Sequence, residues 1–461
     1  MELFLVPGEI TNFPADEVAD LQKLINVYDS HQISNAKKDK YYEGNISLND
    51  VNLGIALPEG LSKLEIGCAW GAKTVDVLAA RSIFDGFVGA NGNDIAELDQ
   101  ICIDNDLQAE YAKTCRDELK YGCSFATLSG DPKNGVRIRF HSAETAAATW
   151  NGELNQIYKG FAIIDTIQVA DGIVKPSLIN YYTSDAIYVL TMNDGLWSCE
   201  KHEHKMGRPL MEPFRWNATS KKPFGRSRIK EPIRRLIDGY VRTIANATIG
   251  LEFSTAPQKY LLGVTDEQFD AVVNQKFKQY VGNVLASTSN PETGEKPTFG
   301  QLPQGSITPH VEMMRILSTQ FSAATGLSVT DTGVVNNANP TSSEAITAQT
   351  QTLIGMAEQL NISNGDSLRN IAMMAVAIVN DKALDELTDE QKDIIAHFKN
   401  PAMPSVAMSA DAALKIASAR EGFASTDTFL EMIGFDQASI RRIKAQETMA
   451  RGLSLLENME E

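Results

Sequence analysis

The sequence runs to 461 residues, 43% hydrophobic and 22% charged, a balance that excludes wholesale disorder and leaves room for two or three domains or one elongated multi-part subunit. The net charge of −17 opposes tight binding to nucleic acid, because affinity for phosphate comes from lysine and arginine. It does not exclude a protein that surrounds a duplex and lets it slide.

Targeting signals and cysteine chemistry add little. The longest uncharged apolar stretch, Ile371 to Val379, is far short of the about 20 residues that a membrane span requires. The first residues, MELFLVPGEITNF, carry Glu2 where a secretory signal carries a cation, so no export signal is expected. Five scattered cysteines (Cys68, Cys102, Cys115, Cys123 and Cys199) form no C-x-x-C pair. They argue against a disulfide framework or a zinc knuckle and point to a reducing cytoplasm.

In chain order, the spacing of Val18, Leu21, Leu24 and Ile25 predicts a helix from Ala15 to Ser30, and Asp94 to Tyr121 reads as a second. β-rich runs follow at Gly135–His141, Gly160–Val169, Lys175–Tyr182, Ala186–Thr191 and Leu196–His202. The turn signals Asp171-Gly172 and Asn193-Asp194-Gly195 join them into an antiparallel meander with helices packed on it. Near residue 220 the character changes. Lys221, Lys222, Arg226, Arg228, Lys230, Arg234 and Arg235 stand against one acid, Glu231. From Ile229 the positions Ile233, Leu236, Tyr240, Ile244, Ala247 and Leu251 step by three and four, predicting an amphipathic helix to Ser254, roughly 39 Å long at 1.5 Å per residue.

Pro257 stops that helix. Thr265 and Gln268 cap a helix to Tyr280, and Val284–Thr288 with Thr298–Leu302 reads as a β-hairpin across a turn-rich link. Thr308-Pro309 opens a helix that ends at Gly326. Ser328 to Pro340 is a polar loop. Thr341-Ser342-Ser343-Glu344 caps a further long helix, whose pattern is interrupted at Asn361–Gly365, a kink signal, and resumes to Asn380. Residues 381–461 read as helical hairpins. The fold class is therefore α+β.

Candidate chemistry is sparse. Gly67-Cys68-Ala69-Trp70-Gly71-Ala72-Lys73-Thr74 lacks the glycine before lysine that a phosphate loop needs, and reads as a packed helix start. Cys199, His202 and His204 do not converge on a strand, because the cysteine faces away from the two histidines. No catalytic residue, metal site or cofactor is expected, and the chain does not read as an enzyme. The basic run Arg226, Arg228, Lys230, Arg234 and Arg235 is the feature with electrostatic content. It is open to three readings: a solvated helix start, contact with an acidic neighbour or shell, and contact with DNA phosphates.

Two long helices flanking a small α/β insert, then a polar loop and a third long helix, form an order that resembles the portal proteins of tailed double-stranded DNA phages, in particular those of the long-tailed phages. The matching segments are Tyr41-Tyr42-Glu43-Gly44 with Trp70, Val75-Asp76, Arg81 and Gly86-Phe87, and Phe224-Gly225-Arg226-Ser227-Arg228-Ile229 with Pro232, Leu236 and Arg242. Further on come Glu252-Phe253, Ala256-Pro257-Gln258-Lys259-Tyr260 with Gly263, Pro309-His310-Val311-Glu312, Ala324-Thr325-Gly326-Leu327, and Asn339-Pro340-Thr341-Ser342-Ser343-Glu344-Ala345-Ile346.

The resemblance implies a homo-oligomeric ring of about twelve copies, a dodecamer closed by heterologous contacts. Its parts are an α/β wing (1–225), a stem helix (226–256), a clip (257–305), a second stem helix (306–327), a channel loop (328–341), a kinked wing helix (342–380) and a helical crown (381–461). It implies a DNA translocation channel at a capsid vertex of the virion, used in genome packaging and ejection, with assembly in the host cytoplasm. The implied partners are double-stranded DNA, the terminase large subunit, major capsid and scaffolding proteins, and head-completion adaptors, with no membrane. Thr330, Asp331, Val334, Asn336, Asn337 and Asn339 are then expected to face DNA, and Asn290, Glu292, Glu295 and Lys296 to meet the terminase or adaptor. The alternatives are another head–tail connector, against which the long helix pair argues, and a cytoplasmic nucleotide-dependent enzyme.

Overall fold

The computed structural model describes residues 5–47, 65–89, 96–168, 174–255, 259–262, 294, 298–301, 306–333, 343–402 and 406–460. The longer helices, in chain order, are α1 (Val18–Glu43), α2 (Trp70–Ala79), α3 (Ala96–Asp104), α4 (Leu107–Tyr121), α5 (Glu231–Thr255), α6 (Thr308–Thr325), α7 (Ser343–Val379), α8 (Val406–Ala419), α9 (Asp427–Ile433) and α10 (Gln437–Glu460). Two compact units divide the chain. The first holds Met1–Gly44, Ala69–Arg234 and Thr325–Glu461, the second Asn45–Cys68 and Arg235–Ala324.

The first unit holds four strands of the expected meander, joined by Ala146–Asn151; Gly135–His141, expected in the same meander, pairs in a second sheet instead. Strands Ala146–Asn151, Gln156–Gln168, Val174–Tyr182, Ala186–Asn193 and Leu196–Glu203 pair antiparallel in sequence order. Asp194 (φ 51) and Gly195 (φ 83) make the last turn, both in the left-handed region that the tight hairpin turn requires. The Asp171-Gly172 turn lies outside the described residues. α1 lays Leu21, Leu24, Ile25 and Tyr28 against Phe161, Ile179, Tyr181 and Leu190 of this sheet. Each such side chain contributes about 1.5–3 kcal/mol through loss of apolar surface to water. The helix runs well past the expected Ser30 and ends at Gly44, whose left-handed backbone (φ 76) bonds back to the Lys40 carbonyl at 3.2 Å.

A second antiparallel sheet orders Met211–Arg215, Cys123–Asp131 and Gly135–Ser142, with α4 and α7 packed on it. The segment expected as one helix from Asp94 is two, α3 and α4, divided where Asp106 takes a left-handed conformation (φ 48).

Asn361–Gly365, expected as a kink, does not interrupt the helical backbone of α7. Polar side chains from this stretch and the turn after it hydrogen-bond inside the fold. Asn361 Oδ1 accepts from Ser82 at 2.6 Å, Asn364 Nδ2 donates to Glu118 at 2.7 Å and to Tyr111 at 3.0 Å, Ser367 donates to the Pro213 carbonyl at 2.7 Å, and Asn370 donates to Glu212 at 2.9 Å. Nor is the tail purely helical. Ile394–Phe398 is a strand paired antiparallel with Phe84–Gly89, and Arg441 on α10 bonds Asp99 on α3 at 2.5 Å.

In the second unit α5 and α6 pack against each other. A Cβ built on Gly239 would stand 3.3 Å from a Leu317 methyl, and Leu317 and Phe321 are buried. The buried positions of α5 are the four-residue row Ile233, Ile237, Val241 and Ala245, with Thr243 and Ala247, while Leu236, Tyr240 and Ile244 are half-buried. Lys259–Leu262 pairs antiparallel with Thr298–Gln301. The expected helix to Tyr280 and the strand Val284–Thr288 lie outside the described residues.

Candidate functional site

Segments far apart in sequence meet in the first unit. α1 ends where α2 begins: Gly71 is so close to the Tyr41 backbone that a Cβ there would run into the Tyr41 carbonyl. Trp70, at the first turn of α2, is buried and donates its indole N–H to the Thr332 carbonyl at 3.1 Å. The segment leading into α5 is pinned by its backbone, Arg226 N to the Trp216 carbonyl at 2.8 Å and Arg228 N to the Leu119 carbonyl at 2.9 Å. Ser227 Oγ donates to the Lys120 carbonyl at 2.5 Å. Gly225, at φ 74, allows this approach, because a side chain there would strike the Trp216 carbonyl.

The basic run separates into two classes. Arg226, Lys230 and Arg235 are exposed, and Arg234 is half-buried, donating to the Ile229 carbonyl at 2.8 Å with its guanidinium 5.9 Å from the centre of the Tyr41 ring. Arg228 is different, and the reading of it as a partner contact is corrected. Its side chain is 7% exposed. Nε donates to the Thr74 carbonyl at 2.6 Å, Nη2 to the Thr325 carbonyl at 2.8 Å, and Nη1 approaches Met356 Sδ at 3.4 Å. Burial pulls its pKa down to about 10, so it stays protonated at neutral pH. The Thr325 carbonyl, at the last residue of α6, carries the partial negative charge of a helix C-terminus and is a natural acceptor for it.

The loop after α6 begins in a closed turn. Ser328 N and Oγ both donate to Asp331 Oδ2, at 3.0 and 2.8 Å, and Asp331 N donates back to Ser328 Oγ at 3.2 Å. Asp331, expected to face DNA, thus spends its carboxylate on its own turn, as acidic side chains do in such caps. Thr330 is exposed, its hydroxyl 2.7 Å from that of Ser328. Val334, Asn336, Asn337 and Asn339 lie outside the described residues, as do Asn290, Glu292, Glu295 and Lys296.

Elsewhere, Cys199 packs on the meander core, His202 is exposed 3.5 Å from Glu200, and His204 is half-buried. Among the described residues no group of three or more His, Cys, Asp or Glu side chains could hold a metal ion. No described helix is long and apolar enough to cross a membrane. Asn361, Asn364, Ser367 and Asn370 recur every three residues, a row that winds around α7 and meets Ser82, Glu118, Pro213 and Glu212 in turn; sequence reasoning did not single it out.

Among solved structures the chain is similar to three from gene transfer agent particles. They are "Virion of native gene transfer agent (GTA) particle" (13% identity, 79% of this chain and 89% of that one, TM-score 0.44), "Neck of native GTA particle computed with C12 symmetry" (12%, 79% and 89%, 0.44) and "Neck of empty GTA particle computed with C6 symmetry" (12%, 79% and 90%, 0.46). No curated protein matches the sequence. The family described as "Phage portal protein, SPP1 Gp6-like" matches residues 21–452, a span that takes in most of α1, the buried Arg228 and the whole of α5, α6 and α7, and the protein belongs to that family.

Proposed function

We propose that this portal protein is the subunit of a ring at one capsid vertex, through which double-stranded DNA enters during packaging and leaves at ejection. The family match over residues 21–452 carries the reading, because it covers α5, α6, α7 and the loops between them. In this reading residues 1–225 are the wing, α5 and α6 the stem, 257–305 the clip, 328–341 the channel loop and α7 a wing helix. Pairing of Ile394–Phe398 with Phe84–Gly89 favours starting the crown after Phe398 instead of at residue 381. The contact of Gly239 with Leu317 supports a stem of two adjacent helices.

Charge supplies the physical logic. A duplex carries one negative charge per about 1.7 Å, so a channel rich in Lys and Arg would hold it in place. A subunit of net charge −17 lets it move, and the loop from Ser328 to Pro340 offers one charge, Asp331, which its own turn already occupies. Motor hydrolysis then belongs to the terminase large subunit docked at the clip through Asn290, Glu292, Glu295 and Lys296. Head-completion adaptors take that place later, and major capsid and scaffolding proteins surround the wing.

Native mass and negative-stain images test this directly. Twelve subunits of 50.4 kDa give annular particles of about 600 kDa; a monomer or dimer without a central hole defeats it.

A further inference from the structure

In the first unit, α1, the strand beginning at Ala146 and the segment Lys222–Ile229 enclose a cavity of about 380 Å³, within the size of pockets that take small ligands or single peptide anchors. Its walls combine two chemistries. Val27, Phe125, Ala147 and Phe224 supply apolar surface, while Lys38, Lys222, Arg226, Lys230 and Arg234 also line it and no carboxylate does. In a chain of net charge −17 this is a concentrated exception. Lys222, Arg226 and Lys230 are exposed. Lys38 is held in place at the inner wall, its ammonium donating to Asn35 Oδ1 and to the Tyr121 carbonyl, both at 3.0 Å, and burial keeps its pKa below the ordinary value.

The walls are pre-set. The Phe224 ring stands edge-on to Trp150 at 5.6 Å and tilted to Phe125 at 6.0 Å. The backbone that carries Arg226 is pinned to Trp216 at 2.8 Å. A site already in its bound shape loses little ordering entropy on binding.

We propose that this cavity binds an acidic peptide segment of a partner protein. One large apolar side chain enters the recess lined by Val27, Ala147 and the Phe125–Phe224 pair, and carboxylates on either side of it meet Lys222, Arg226 and Lys230. A DNA duplex fits less well. Its outer surface is phosphate and sugar, with no apolar group to enter the cavity, and it calls for an extended basic face instead of a recess. The site belongs to a single chain, so it stands or falls separately from the ring.

The test uses the full-length protein and a fluorescently labelled nine-residue peptide, one phenylalanine between four acidic residues on each side. Binding should weaken about tenfold or more when glycine replaces the phenylalanine, as for a buried aromatic anchor. It should weaken by at least about tenfold in the double variant Arg226→Glu, Lys230→Glu, whose side chains are exposed, and fall with added salt. Ala147→Trp, which fills the recess, should abolish it; a melting curve separates that from misfolding, and the double variant stands whether or not Ala147→Trp folds. Equal affinity for the glycine peptide, displacement by a 20-base-pair duplex, or no binding overturns the proposal. A monomer that binds the peptide would leave this site intact while removing the ring.

Discussion

The guanidinium of Arg228 donates to the carbonyl of Thr325, the last residue of α6, at 2.8 Å. Through Nε the same side chain holds the Thr74 carbonyl of α2, so one buried cation links the approach to α5 with the end of α6 and the middle of α2. Arg228→Ala removes a charged donor from the Thr325 and Thr74 carbonyls and opens a gap against Met356. The expected loss is about 3 kcal/mol or more. Arg228→Lys should recover only part of it, since one ammonium cannot reproduce the planar fork. Urea unfolding measures both; an Arg228→Ala protein as stable as the parent would remove this role.

Gly71 carries a steric prediction. Because a Cβ there meets backbone, the Tyr41 carbonyl, and not a flexible side-chain tip, α1 and α2 must separate to admit even a methyl. Gly71→Ala should lower stability by about 1–3 kcal/mol, as overpacking does, whereas Gly67→Ala, with nothing within 4 Å of its Cβ, should stay nearer the parent. Matching thermal midpoints for the two variants would contradict the close approach.

Much of the fold was legible wherever the signal was local. The meander followed from alternation and from the Asp194-Gly195 turn, and α6 from Thr308-Pro309 at one end and Gly326 at the other. Long-range terms were not legible. Ile394–Phe398 looked like part of a helical tail because its strand partner, Phe84–Gly89, is more than three hundred residues away. Asn361 to Gly365 interrupted the apolar pattern because nothing local reveals that Glu118 and Tyr111 wait for Asn364. Arg226 and Arg228 are the same residue type two positions apart. Only the fold makes one a solvated charge and the other an internal tie.

Glu118 predicts a pH dependence. The side chain is fully buried, Oε2 accepts from Asn364 at 2.7 Å, and Oε1 has no hydrogen-bond partner. Burial pushes its pKa up to about 8, against the opposing pull of the Asn364 bond and the Arg215 charge. The folded protein therefore keeps a proton that the unfolded chain releases near pH 4.3, roughly. The stability this supplies is complete below that value, declines as pH rises, and is gone above about pH 8. Glu118→Gln, neutral at every pH, should match the parent near pH 4 and be more stable near pH 8–9, by on the order of a few kcal/mol at most. Parallel profiles for the two proteins would show that Glu118 is ionised in the fold.

The loop after α6 gives the functional prediction. Its root is fixed twice, by the Trp70 indole on the Thr332 carbonyl at 3.1 Å and by the Ser328–Asp331 turn that closes before Gly333. Deleting Val334 to Ala338 begins beyond both ties, so α6, α2 and the packing around Arg228 should be untouched and ring mass unchanged. If the loop narrows the channel and touches DNA through weak, easily broken bonds, the deletion should sharply reduce packaged or retained DNA. Trp70→Phe, which removes the indole donor while keeping an aromatic ring, should loosen the root and lower DNA retention less severely. Counting DNA-filled particles by density gradient or cryo-microscopy measures both. Full heads at parental frequency in the deletion would mean that this loop does not grip the duplex.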